Sequence, residues 1–412
     1  MVENNDNIYV TLGVQRPTFS PFRIFKRWSW KLHGYLLPLL HWVDYYNYYV
    51  INKASSLLLL TNSNSTSNKI NDKLIISSPP PGDVFVNLRV LWNKALSSLD
   101  VNSPAYEGPH KFWTYNLLPS YSRWILKVFF PFFPRWYHAN IELRTVYLNN
   151  AVDHEIRYYA AKEEGEEIHN EHSNNINNEN GHKQKQCSNN HDNKRKKIRL
   201  ILLGSGYDTR TIRLLTEQND NDNYCIQNKS TLPRIDKAFE LDLPQVIEYK
   251  RTLLQRSLLI QNISITTSLL DENTTNSSSM LELIGVDLNN LQAVQRVLKI
   301  IANDNNVSSS TDNKNNDDDN DWSTIIVAEA VLMYLNVGVT EKLLQLCSEI
   351  FGPSSSFCFV DRFKSIIPIE DNKNRGRQFL ANIGWNTLID WSIKPGGTRH
   401  MGIARTTITV AP

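Results

Sequence analysis

The sequence predicts a parallel, doubly wound α/β sheet, on three observations. Short, continuous apolar runs, of which Leu200-Ile201-Leu202-Leu203 is the clearest, alternate with segments of helical spacing. The runs are uninterrupted, as expected of strands covered on both faces. The first run turns on Gly204-Ser205-Gly206 and continues into Thr211-Ile212-Arg213-Leu214-Leu215, a strand–turn–helix passage in which backbone without Cβ atoms can approach a ligand closely.

The elements follow in order. Strands are expected at Ile198–Leu203, Ala238–Leu241, Leu283–Val286, Thr324–Ala328 and Ser356–Val360. The helices between them include one with Val246, Tyr249, Leu253 and Leu254 on a single face, then Leu291–Ile301 and Thr340–Phe351. Upstream, Phe85–Leu99 aligns Leu88, Leu91, Trp92, Leu96 and Leu99 on one helical face. Ile141–Tyr159 carries Leu143, Val146, Tyr147, Asn150, Ala151 and His154 at three-and-four spacing. Trp124–Phe133 is strongly apolar but broken by Lys127, Pro131 and Pro134, and is expected to be buried beneath other helices.

Nearer the start, residues 23–49 mix tryptophans and tyrosines with Lys26, Arg27 and Lys31. The apolar run from Tyr35 to Val43 is far shorter than the roughly 18 residues a membrane span needs. Its polar residues are not segregated, so helices packed on the main domain are expected and membrane-surface contact is not. Residues 61–71 form a Ser/Asn linker and Pro79-Pro80-Pro81-Gly82 a stiff break.

Four polar tracts, Glu163–Lys197, Glu217–Asn223, Asn273–Ser279 and Asn303–Asp321, cannot bury enough apolar surface to fold alone and read as surface-loop insertions. The organisation expected is an N-terminal extension over 1–82, a helical lid region over 83–162, a low-complexity insertion over 163–197 and a core over 198–412.

Composition narrows the function. A net charge of +2 is too small to imply a nucleic-acid partner. Four scattered cysteines without a C-x-x-C pair indicate neither a disulfide framework nor a structural zinc site. The opening residues lack a secretory signal, and a cytoplasmic monomer is expected. His169, His172, His182, Cys187 and His191 lack defined spacing, so no metal is expected. Lys194-Arg195-Lys196-Lys197 reads as a solvated flank to the first strand rather than a nuclear-import patch.

Three acids, Asp242, Asp287 and Glu329, stand just past strand ends, where open parallel sheets bind ligands. One suits a ribose diol, one an adenine amino group and one a cation. The alternative is that each caps the helix that follows. The third glycine of a dinucleotide fingerprint is missing, and Asp208 would repel a pyrophosphate, which favours a ligand with a cationic group. Together they describe a site for a positively charged adenosine without phosphates, and S-adenosylmethionine (SAM) fits. A Cβ at Gly206 is expected to fill ligand space and leave the fold intact.

Four segments now stand in order: Leu203-Gly204-Ser205-Gly206-Tyr207-Asp208-Thr209-Arg210; Phe239-Glu240-Leu241-Asp242-Leu243-Pro244 with Lys250; Ile284-Gly285-Val286-Asp287-Leu288; and Glu329-Ala330-Val331-Leu332-Met333-Tyr334-Leu335. They resemble the leucine carboxyl methyltransferase family of SAM-dependent enzymes. The resemblance covers roughly Ile141–Asn149 and Ile198–Asp361, and more faintly Thr398–Gly402. The family's Gly-Tyr-plus-acid segment has no counterpart in the first 135 residues.

The resemblance implies a class I methyltransferase (Rossmann-like) fold, with seven strands, helices on both faces and an N-terminal helical lid. It implies that Gly204 and Gly206 pass beneath the methionine part of SAM and that Asp242 holds the ribose. Asp287 with the Leu288 backbone would contact adenine, and Glu329 would face the amino group. Arg144 would grip the SAM carboxylate beside the substrate carboxylate, the alternative being a solvated helix charge. Tyr334 would stand on the substrate side, the alternative being a core aromatic. The activity implied is O-methylation of a carboxylate, typified by the C-terminal leucine of the protein phosphatase 2A catalytic subunit. A small-molecule acceptor and a non-catalytic SAM-binding module are the alternatives. A carboxylate is already ionised at neutral pH and needs no general base, which agrees with the lack of an obvious His–acid pair.

Overall fold

The computed structural model describes residues 82–108, 112–133, 138–172, 197–219, 235–257, 265–268, 280–303, 322–363, 373–393 and 399–406. The expectations for residues 23–49, 61–71 and 79–81, and for most of the polar tracts, lie outside these residues, as do His182, Cys187, His191 and the basic run at 194–196. The chain divides into two compact units. Of the described residues, one unit takes those up to Val146, together with Gly206–Thr209 and 243–257, and the other takes the rest.

The second unit is built on an eight-stranded sheet. Its strands are β1 (Lys197–Leu203), β2 (Lys237–Asp242), β3 (Ile265–Ser268), β4 (Leu281–Gly285), β5 (Trp322–Glu329), β6 (Ser355–Asp361), β7 (Thr387–Ile393) and β8 (His400–Arg405). The spatial order is β3-β4-β2-β1-β5-β6-β8-β7. Every pairing is parallel except those of β8, which runs antiparallel to both β6 and β7.

The five expected strands are present, four of them lengthened by one to three residues and the third shifted to Leu281–Gly285, so that Val286 falls outside it. Residues 198–203 and 323–328 are all buried, which explains their largely apolar character. The sheet has eight strands where seven were expected, because Ile265–Ser268 pairs with β4 at the edge. Four residues with a single isoleucine carry no periodic signal.

Helices α5 (Arg210–Asn219), α7 (Leu291–Asn303), α8 (Val339–Phe351) and α9 (Lys373–Asn382) also belong to this unit. Val294, Val297, Leu298 and Ile301 of α7 and Leu343, Leu344 and Cys347 of α8 pack with Ile201, Leu203, Phe239, Ile326, Phe357 and Phe359 in one core. Arg199 is buried at that core's margin. It donates to Thr324 Oγ1 and to the Ile301 carbonyl, each at 2.7 Å, and lies 5.4 Å from the Trp322 ring centroid.

Helix α4 (Ala139–His172) extends ten residues into the Glu163–Lys197 tract, and from Tyr147 onward it belongs to the sheet unit. There it is fixed by side chains. Tyr147 Oη donates to Asp390 Oδ2 at 2.6 Å, Arg213 pairs with Asp153 at 3.6 Å, and Ser356 donates to Tyr159 Oη at 2.9 Å. Arg405 makes a two-pronged bond to Glu155 (2.7 and 2.9 Å), and its guanidinium lies 3.3 Å from the Tyr158 ring centroid.

The first unit contains α1 (Gly82–Leu99), α2 (Trp113–Leu117), α3 (Ser120–Phe129), residues 139–146 of α4 and α6 (Pro244–Arg256). In α1, Leu88, Leu91, Trp92 and Leu96 are buried as expected, whereas Leu99 is half-buried. Asn93, Lys94, Ser97 and Ser98 are buried too, so the helix is covered well beyond one face. Asn93 Nδ2 donates to the Arg89 carbonyl and both serine hydroxyls donate to the preceding turn. The expected burial of Trp124–Phe133 holds for Leu126 but not for Trp124, which is 63% exposed, nor for Val128. An apolar run can cover only one side of a helix at a time, and Ser120, Trp124, Lys127 and Val128 face outward. Among the described residues no helix is long and apolar enough to cross a membrane.

Candidate functional site

β1 lies between β2 and β5, so the chain's course through the sheet reverses beside it. In open α/β sheets the ligand crevice forms outside the strand carboxyl ends at such a reversal. The glycine turn starts there. Gly204 and Ser205 both donate their N–H to the Leu241 carbonyl, at 2.8 and 3.2 Å, which carries the β1–β2 ladder into the turn. Gly204 has φ +61°, and a Cβ on it would run into the Val331 side chain. Ser205 is buried, and its hydroxyl meets no hydrogen-bond partner among the described residues. An orphaned buried hydroxyl in a glycine turn suits a polar ligand group.

The three acids stand at the carboxyl ends of β2, β4 and β5, on the two sides of β1. Asp242 closes β2 and is buried, and its backbone carbonyl accepts from Val286 at 2.7 Å. Asp287, two residues past β4, is exposed, while Leu288 beside it is buried. Asp287 Oδ1 accepts from the Asn289 backbone N–H at 2.9 Å and its amide at 3.2 Å, and Asn289 Oδ1 accepts from the Asn336 N–H at 2.8 Å. Glu329 closes β5 with its side chain 8% exposed.

None of the three is the residue that caps the next helix. Asn290 Oδ1 takes the Ala293 N–H at the start of α7, Leu243 stands at the N-cap of α6 without a side-chain bond, and Gly338 stands at that of α8. The capping alternative therefore does not account for them.

Arg210, the first residue of α5, is buried. Its Nε donates to Asn149 Oδ1 of α4 at 2.9 Å, and its Nη2 lies 3.5 Å from Glu329 Oε2. Beyond Glu329, Ala330 takes a left-handed φ of +55°, unusual for a residue with a Cβ. Asp361, at the end of β6, fixes the turn that follows. Its Oδ2 accepts the N–H of Val331 at 2.6 Å and Leu332 at 2.7 Å, and its Oδ1 those of Met333 at 3.1 Å and Arg362 at 2.7 Å. Burial pushes the Asp361 carboxyl up, while the four N–H groups favour its charged form. Tyr334, on that turn, is 66% exposed, so the core-aromatic alternative is excluded.

The helical unit carries the other half of the glycine motif. Gly206 has φ +50°, and a Cβ on it would lie 2.6 Å from Asn87 Oδ1. A larger residue at Gly206 therefore disturbs the protein itself, which corrects the expectation that it would act on ligand space alone. Asp208 is buried and paired with the buried Lys94 Nζ at 3.0 Å, and the Lys250 ammonium donates to the Asp208 carbonyl at 2.6 Å. The neighbouring cation offsets its charge, so the pyrophosphate-repulsion argument no longer rests on a bare carboxylate. Thr209 and Thr114 share a hydroxyl contact of 3.0 Å, and Thr114 also donates to Glu107 at 2.5 Å. Arg144 is buried, which excludes the solvated-charge alternative.

Lys94, Asn149, Arg210 and Asp361 were not singled out from the sequence. Asp361 carried the same strand-end signal as the three acids, and Arg210 lay inside a quoted motif. Lys94 and Asn149 each lie on a helix face with nothing local to mark them.

The fit to SAM rests on the donor set: the orphaned Ser205 hydroxyl, three strand-end carboxylates and, among the described residues, no lysine-rich phosphate cradle at the strand ends. The strand order, with β8 inserted antiparallel between β6 and β7, is that of the class I methyltransferases. A model of the leucine carboxyl methyltransferase family matches residues 190–348. The match takes in all four motifs quoted above, so over those residues the chain is similar to that family of SAM-dependent methyltransferases.

No curated protein matches the chain. Among solved structures it is similar to LepI in complex with SAM, at 10% identity and TM-score 0.27, over 52% of this chain and 43% of that one. An O-methyltransferase family protein from Burkholderia thailandensis matches at 10% identity and TM-score 0.29, over 51% of each chain. Human N-acetylserotonin methyltransferase in complex with SAM matches at 9% and 0.26, over 51% of this chain and 47% of that one. The chain thus spans about half the length of these structures.

Proposed function

We propose that the protein is a SAM-dependent carboxyl O-methyltransferase acting on the C-terminal leucine of a protein, of the phosphatase 2A catalytic-subunit type. The observation that carries this reading is the set of carboxylates at the ends of three parallel strands flanking β1, within the matched family segment and not used as helix caps. Asp242 would accept the ribose hydroxyl protons, Asp287 and the Leu288 backbone would contact adenine, and Glu329 would accept the amino group. Gly204 and Gly206 shape the turn, and Ser205 offers it a hydroxyl. SAM, when bound, supplies a methyl group on a sulfonium.

For an in-line displacement the protein's task is to align the acceptor and exclude water. Arg144 would orient carboxylates through its planar fork, and the exposed Tyr334 would stand on the acceptor side. An acceptor ionised at neutral pH asks no side chain to take a proton. Residues 83–162 are proposed as the helical lid region and the protein as a monomer. The missing Gly-Tyr-plus-acid segment favours, as the second reading, a small-molecule acceptor. Incubation with labelled SAM and phosphatase 2A catalytic subunit, with and without its terminal leucine, tests the choice. Label only on the intact subunit supports the first reading, and none on either supports the second.

A further inference from the structure

Arg210 breaks a local rule. It is the first residue of a ten-residue helix, where the backbone dipole presents positive charge and an acid would be favoured. It is also buried, which costs a cation its hydration. Natural sequences tolerate such conflicts chiefly at working sites. Its guanidinium bridges different elements: Nε donates to Asn149 Oδ1 on α4 at 2.9 Å, and Nη2 lies 3.5 Å from Glu329 Oε2. The first contact is an ordinary hydrogen bond. The second is longer than the ~2.7–2.9 Å of a closed charge-assisted bond, so it orients the carboxylate without clamping it. The rigid guanidinium plane transmits the orientation from one contact to the other.

We propose that Arg210 is a positioning residue. Held by Asn149, it aims the Glu329 carboxylate at the ammonium end of the bound SAM and thereby sets discrimination for the cofactor's amino-acid tail. This rests on the assignment of Glu329 to that ammonium. The same principle makes Asn149 part of the device although it touches neither Glu329 nor ligand in the proposal.

The test compares SAM with methylthioadenosine, which keeps the adenosine and the S-methyl group, as a neutral thioether in place of the sulfonium, but lacks the amino-acid tail, by calorimetry on the full-length chain. The wild type should bind SAM more tightly. Arg210→Lys keeps the charge but loses the fork, and should weaken SAM roughly tenfold or more while leaving methylthioadenosine unchanged. Asn149→Ala should shift the ratio in the same direction by less, and carries the comparison if Arg210→Lys does not fold. Equal losses for both ligands mean general damage and overturn the inference, as does a variant that discriminates like the wild type. A wild type that binds both ligands equally overturns the Glu329 assignment itself, a separate outcome.

Discussion

Replacing Asp361 by Asn offers the sharpest check on how the turn that carries Tyr334 is held. Each carboxylate oxygen accepts two backbone N–H groups, Val331 and Leu332 on one, Met333 and Arg362 on the other. An amide keeps one oxygen and turns an N–H₂ toward the second pair of donors. Two bonds to a charged acceptor are lost, at about 1.5–3 kcal/mol each. Relief from burying a charge, visible in the upward push on this carboxyl, offsets part of that. A net local loss of roughly 2–4 kcal/mol follows. The side chain must break the turn between Glu329 and Tyr334 before it breaks the sheet, because its partners all lie at residues 331–333 and 362. Hydrogen exchange followed by mass spectrometry should show the 331–334 amides losing protection by tenfold or more, with β1 and β5 unchanged. Turnover should fall with them. Wild-type exchange at 331–334 in Asp361→Asn would refute the reasoning.

Three further outcomes follow from the site and the core. Arg144→Lys should lower SAM affinity, carboxylate turnover, or both by roughly ten- to hundredfold, and the wild-type rate should stay nearly flat from about pH 6 to 8. Full activity in that variant with a rate climbing steeply with pH would remove the carboxylate reading. Burial pushes the Cys347 thiol up to about 12 from 9.0, so the native state holds its proton more tightly than the unfolded chain. Its contribution to stability is complete below about pH 9 and is lost as the pH rises toward 12, and Cys347→Ala should flatten that part of the denaturation-midpoint profile. Gly206→Ala should destabilise the protein by about 1–2 kcal/mol, since its left-handed φ and the Asn87 amide both oppose a Cβ. Adding Asn87→Ala should recover the contact part in thermal melts but not the backbone part.

Much of the sheet was determined locally. Strands covered on both faces read as mostly apolar runs, so β1, β2, β4, β5 and β6 declared themselves in the sequence, and so did the acids at the ends of three of them. The glycine turn did as well, because positive φ at Gly204 and Gly206 leaves few residue choices. Edge strands are different. Ile265–Ser268 and Thr387–Ile393 are strands because β4 and β8 present open ladders to them, which no window of sequence contains. Side-chain partnerships were just as hidden. Lys94 and Asp208 lie 114 positions apart, Glu155 and Arg405 lie 250, and each pairing exists only because folding brings buried opposite charges together. The same holds for exposure. Trp124 sits in an apolar stretch whose sequence suggested burial, and Tyr334 in one that suggested burial as readily as function, and which side of each met solvent was settled by what packed against the other side. Hydrophobic periodicity is a property of neighbours along the chain, whereas partnership and exposure belong to neighbours in space.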